Sequence, residues 1–135
     1  MHVHRVQIYY EDTDLSGIVY HANYLKYFER AREHLIGAQE LARLYNEDGI
    51  GFVVYKAELT FKDGARLGDI IEIRTVPSMA SPYRATFDQS VWRPGGTSPM
   101  VLGSVDLVCV DPDNNLVPLP EHVQEGLKAI AAGKS

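Results

Sequence analysis

The sequence predicts an α+β fold in which a curled antiparallel sheet wraps around one long central helix. Three observations carry this. Five segments alternate apolar and polar residues with a period of two, the strand period. One long stretch, from Asn23 to Glu47, instead repeats with the helical period. The later strands are joined by short turn clusters, which makes them antiparallel neighbours.

The first strand is expected from Val3 to Tyr10, with Val6, Ile8 and Tyr10 on one face and Arg5, Gln7 and Tyr9 on the other. Glu11 to Gly17 is polar and closed by glycine, a loop. In the helical stretch Tyr24, Tyr27, Phe28, Ala31, Leu35 and Ala38 share one side, while Lys26, Arg30, Glu33 and Glu40 take the other. Asn23 suits the N-cap and Gly49 the stop, so an uninterrupted helix of roughly 35 Å is expected at ~1.5 Å per residue. Strands follow at Val53 to Phe61, Ile70 to Val76, Tyr83 to Arg93 and Met100 to Val110, the first with Val53, Tyr55, Ala57, Leu59 and Phe61 on one face. A short helix closes the chain near Glu121 to Ala131.

Length and composition bound the function. The chain has 135 residues and 13 Lys+Arg against 18 Asp+Glu, a net charge of −5, which reads as a single domain, 1–135, without the clustered positive charge of unspecific nucleic-acid binding. No apolar run approaches the ~18 residues of a membrane span, and the N-terminus lacks a signal-peptide pattern, so a cytoplasmic setting is expected. The single cysteine, Cys109, lies in an apolar run and excludes an internal disulfide and a cysteine-based zinc cluster. One helix cannot cover both faces of such a sheet, nor its edge, so a homo-oligomer is expected, dimeric or a dimer of dimers.

Chemistry concentrates in Tyr9-Tyr10-Glu11-Asp12-Thr13-Asp14-Leu15-Ser16-Gly17-Ile18-Val19-Tyr20-His21-Ala22-Asn23-Tyr24. Carboxylates followed by a helix start place unpaired N–H donors and a partial positive charge next to an acid. Donors of that kind hold a developing oxyanion, and the carboxylate attacks a carbonyl or activates water. A solvated capping loop has the same composition. The EF-hand spacing is absent, and neither a Gly-x-Ser-x-Gly elbow nor a Cys–His signature is present.

Tyr10-Glu11-Asp12-Thr13-Asp14, Gly17-Ile18-Val19-Tyr20-His21, Asn23-Tyr24 and Tyr27-Phe28-Glu29-Arg30-Ala31-Arg32 resemble the signature of hotdog-fold acyl-CoA thioesterases. Within these the sequence is most like the Tol-Pal-associated YbgC-like group, relatives of 4-hydroxybenzoyl-CoA thioesterase. The resemblance implies hydrolysis of acyl-CoA, or of an acyl carrier protein thioester, with no metal and no cofactor. It implies Asp14 as nucleophile or general base, and the His21 backbone N–H as the group polarising the thioester carbonyl. Asp12 is then either a loop-shaping acceptor or a second acid, and Tyr20 and Tyr24 are candidates for the acyl pocket. Glu29 is a partner for Arg32 or Arg5, or a polar group facing the site across a subunit boundary. Coenzyme A carries phosphates, for which Lys62, Arg66, Arg84 and Arg93 are candidates. Gly64-Ala65 replaces the family's common Pro-Ala step, which is expected to loosen a loop beside the site. The rival readings are a non-catalytic acyl-CoA or acyl-carrier-protein binding module, and a hotdog hydratase or dehydratase.

Overall fold

The computed structural model describes residues 1–133, so the last two residues of the expected 1–135 domain lie outside it. Its strands are β1 (His2–Gln7), β2 (Gly51–Phe61), β3 (Ile70–Ser81), β4 (Arg84–Trp92), β5 (Val101–Val110) and β6 (Leu116–Val117). They form one antiparallel sheet in the order β1-β3-β4-β5-β2, with β6 pairing on β5. The helices are α1 (Asn23–Ile36), α2 (Ala38–Arg43) and α3 (Glu121–Ala131). β6 is too short to leave a periodic signal, and sequence periodicity missed it.

The sheet curls around α1 because its inward face is largely apolar, with Thr75 and Gln89 as buried polar residues. Ile71 and Ile73 on β3, Phe87 and Val91 on β4, and Val101 and Val105 on β5 are buried, as are Tyr24, Tyr27, Phe28 and Ala31 on α1. Gly103 of β5 permits the close approach. A Cβ there would lie 2.5 Å from Phe28 Cε2, so the helix rests where the strand has no side chain.

Three sequence expectations are corrected. The expected uninterrupted helix ends at Gly37, whose φ of +104° cannot continue it; α2 restarts there and passes into a π-helical turn over Leu44–Asp48. Ala38 therefore leaves the buried stripe and is exposed. Asn23 is the first helical residue rather than the N-cap, a place taken by Ala22; its side-chain Nδ2 donates instead to Asp12 O at 2.9 Å. The first strand stops at Gln7, and Tyr10, expected on the same strand face as Val6 and Ile8, is 82 % exposed because the chain turns into a 3-10 segment at Tyr10–Asp12.

The alternation of β2 also changes phase. A bulge lies between Val54 and Lys56, so Phe52 and Val54 oppose the inward Cys109 and Leu107, while Ala57, Leu59 and Phe61 oppose Val105, Gly103 and Val101. Tyr55 is the extra residue, and beyond it the inward set shifts by one. β2 is an edge strand, with Val53, Val54 and Tyr55 exposed.

At the opposite edge, His4 of β1 stacks on His34 of α1 with ring centroids 4.3 Å apart. Burial first, then the charge of His34, lowers the pKa of both His2 and His4 from the usual 6.5. The unfolded chain therefore binds these protons more readily, and stability falls as pH drops through about 6.5 toward the lower folded values. Tm is expected to be lower at pH 5.5 than at pH 7.5, with a smaller difference in His4→Gln, as read by circular-dichroism melts.

Candidate active site

The segment between β1 and α1 folds as a small hairpin-like loop. Thr13 bridges Val19, Asp14 N–H donates to Ile18 O at 2.9 Å, and Gly17 N–H returns to Asp14 O at 3.0 Å. Gly17 takes φ +78°, a conformation this tight turn requires and side-chain-bearing residues rarely adopt. Asp12 braces the loop from below. Its Oδ2 accepts from Tyr9 N–H at 2.8 Å, and its carbonyl accepts from Tyr20 N–H and the Asn23 side chain, each at 2.9 Å.

Asp14 stands exposed at the front of this loop. Its Oδ1 accepts from Ser16 N–H at 2.9 Å and from the Ser16 hydroxyl. The hydroxyl first and the backbone N–H second hold the carboxyl below the usual carboxylate range, and the nearby His21 adds to this. Asp14 is thus ionised well below neutral pH. Ser16→Ala is expected to move the acid limb of any Asp14-dependent activity to higher pH, read from kcat/KM between pH 4 and 8.

Where the chain enters α1, the N–H groups of His21 and Ala22 make no hydrogen bond among the described residues. These are the unsatisfied donors of a helix start. The His21 ring lies against Tyr20, with centroids 4.6 Å apart, and edge-on to Phe61 at 6.0 Å. The last residue of β2 therefore closes one side of the site. Tyr20 is half exposed, whereas Tyr24 is buried and its hydroxyl accepts from Ala65 N–H at 3.1 Å. The Tyr27 hydroxyl is buried without a hydrogen bond; burial and the neighbouring Asp12 push its pKa up.

The Gly64-Ala65 loop is tied down rather than loosened. Val19 N–H donates to Ala65 O at 2.9 Å, Ile18 bridges Arg66, and Arg93 donates to Asp63 Oδ2 at 2.6 Å. A Cβ at residue 64 would sit 3.1 Å from Ile18 Cδ1, so glycine lets the two loops meet closely.

The other candidates are dispersed. Lys62 and Arg66 follow the end of β2, beside the Asp14 loop, while Arg93 is engaged by Asp63. Arg84 lies at the other end of the sheet, opposite Val108 and over the Tyr55 ring. Glu29 forms no ion pair among the described residues: its expected partner Arg5 pairs with Glu72, and Arg32 donates to Gln89. Sequence reasoning gives Ser16 no role and places Arg32 only as a partner for Glu29. An Asp-x-Ser step is a local turn pattern, and Arg32, four residues after Phe28, falls on the buried stripe of α1.

The chain matches the thioesterase-like superfamily over residues 9–127. It belongs to that superfamily. Among its relatives, the YbgC acyl-CoA thioesterase of Haemophilus influenzae is 34% identical over 108 residues, 78% of each chain. The YbgC acyl-CoA thioesterase of Helicobacter pylori is 49% identical over 71 residues, and there the match spans about half the length of both chains, 53% of this one and 52% of the relative. The same hotdog fold is seen in Slr0204 of Synechocystis, a 1,4-dihydroxy-2-naphthoyl-CoA thioesterase, with TM-score 0.87, 22% identity and coverage of 94% and 95%. A probable thioesterase from Bartonella henselae superposes with TM-score 0.80 at 29% identity, covering 88% and 98%. This chain is thus a hotdog-fold member of the thioesterase-like superfamily that is similar to the YbgC proteins. No helix among the described residues is long and apolar enough to cross a membrane.

Proposed function

We propose that the protein hydrolyses acyl-CoA thioesters to a free carboxylic acid and coenzyme A. The observation that carries this is an ionised, solvent-facing Asp14 beside a helix start whose His21 and Ala22 N–H groups have no acceptor. The thioester carbonyl accepts from the His21 N–H. Asp14 takes a proton from water as the water oxygen bonds to the acyl carbon, and the N–H holds the resulting oxyanion. Collapse of the tetrahedral species breaks the C–S bond, and the thiolate leaves with the proton. Direct attack by Asp14, through an acyl anhydride that water then opens, uses the same groups.

The working unit in this reading is at least a dimer. β2 offers an unpaired edge carrying Val53, Val54 and Tyr55, suited to pairing with β2 of a second copy. Its 11 residues span about 33 Å, with Phe61 and His21 at one end and Gly51 at the other. Antiparallel two-fold pairing sets the start of one β2 against the end of the other. The Glu29 side of α1 and Arg84 in one copy then approach the Asp14 loop and Lys62 of its partner. Introducing Lys at both Val53 and Tyr55 is expected to give monomers by sedimentation, with loss of turnover.

Thiol release from short-chain, long-chain and aromatic acyl-CoAs, followed with Ellman's reagent, tests the activity. Release by the wild type establishes it. Binding of CoA esters without release would mean a binding module, and hydration of an enoyl-CoA would mean a hydratase. Acyl carrier protein thioesters in the same assay distinguish the donor.

A further inference from the structure

Tyr27 is 1 % exposed on the inner side of α1, and its hydroxyl makes no hydrogen bond among the described residues. A hydroxyl enclosed in a core without a partner costs stability, and phenylalanine fills the same volume without that cost. Such a group needs an explanation other than packing.

Asp12 is the neighbour that bears on it. Burial first, and then the Asp12 carboxylate, push the Tyr27 pKa up, so the phenol keeps its proton and stays a donor. Asp12 has an oxygen to spare: Oδ2 accepts from Tyr9 N–H at 2.8 Å, while Oδ1 accepts nothing among the described residues. An incomplete donor on α1 thus lies beside an incomplete acceptor on the loop that carries Asp14.

α1 already grips this loop once. Asn23, four residues before Tyr27 and on the same side of the helix, donates to Asp12 O at 2.9 Å. Asp14 stands two residues beyond Asp12, and His21 two residues before Asn23. The separation between the Asp14 carboxylate and the His21 N–H therefore depends on how firmly Asp12 is fixed to the helix. A side-chain tie from Tyr27 would fix it a second time, one turn further along.

We propose that Tyr27 is a positioning residue, whose hydroxyl closes on the Asp12 carboxylate when a thioester is bound and so locks the Asp14 loop to α1. The inference rests on the thioesterase reading. Hydrogen bonds that serve a reaction are often long without substrate and tighten in the loaded site. Tyr27 itself touches no substrate and acts through Asp12.

The test is Tyr27→Phe, which removes the hydroxyl and little else, assayed with the acyl-CoA that the wild type cleaves fastest. The expected result is a kcat about 10- to 100-fold lower with KM within about twofold, the pattern of misplaced groups and intact binding. Tm is expected to hold or rise, because an unsatisfied hydroxyl leaves the core. In an Asp12→Ala background the same substitution is expected to change kcat by less than about twofold, since the partner is already gone. If Asp12→Ala does not fold, the kcat and KM of Tyr27→Phe decide alone. Unchanged kcat in Tyr27→Phe overturns the inference and leaves the thioesterase reading standing. A loss confined to KM, a loss that comes with a lower Tm, or an undiminished loss in the Asp12→Ala background overturns it also. A wild type that hydrolyses no acyl-CoA overturns both.

Discussion

Asp14→Asn is expected to lower kcat by about 10²- to 10⁴-fold, the range for losing a positioned base. The substitution keeps size and shape. Its amide oxygen accepts from Ser16 N–H and the Ser16 hydroxyl as the carboxylate does, so the loop and the melting temperature are expected to persist. The negative charge is what goes, and with it the capacity to take a proton from water or to attack carbon. Thiol release and a circular-dichroism melt on the same sample separate lost chemistry from lost fold. Undiminished turnover in folded Asp14→Asn would remove Asp14 from the mechanism. Borohydride added during turnover of the wild type separates the two routes, since only an acyl anhydride at Asp14 is reduced there.

The largest stability effect is expected at Gly103. A methyl group at this position meets Phe28 Cε2 at 2.5 Å, and Phe28 is fully buried on the inner face of α1. Overpacking of this kind costs about 1–3 kcal/mol. At roughly 4 °C per kcal/mol for a domain of this size, Gly103→Ala is expected to lower Tm by about 4–12 °C. Phe28→Leu in the Gly103→Ala background is expected to recover part of the loss, because the clash belongs to that pair. Without such recovery, the close approach of β5 to α1 would not be what Gly103 provides. The helix start carries the His21 N–H, so displacement of α1 is also expected to lower kcat.

Much of this is legible in the amino-acid sequence. The order of strands and helices followed from periodicity, and the loop before α1 stood out by residue type. What escaped has identifiable physical causes. Gly37 lay inside a stripe whose apolar spacing continues on both sides, so the pattern bridged a break that a positive φ enforces. The bulge at Tyr55 inverted an alternation that looks unbroken in the sequence. Asn23 is a good capping residue by type, but Asp12 O offered its side chain a better acceptor. Arg32 was hidden by its charge. A basic residue on an amphipathic helix ordinarily faces water, and here Gln89 and Thr75, distant in sequence, form the polar niche that admits it.

The break at Gly37 divides the helical stretch into two independent lengths of backbone. The loop that carries Asp14 and the first turns of α1 occupy residues 9–28, whereas Leu41, Tyr45, Ile50 and Phe52 come after the break, facing Glu29, Arg32, Glu33 and Ile36 of α1 across one cavity. The discontinuity at Gly37 means that substitutions or length changes in residues 38–50 need not rotate the first helix or shift the loop that carries Asp14. Descendants of one such chain can therefore vary in this segment while inheriting the same loop before α1. The same division makes that segment the natural place to introduce variation without disturbing the first helix.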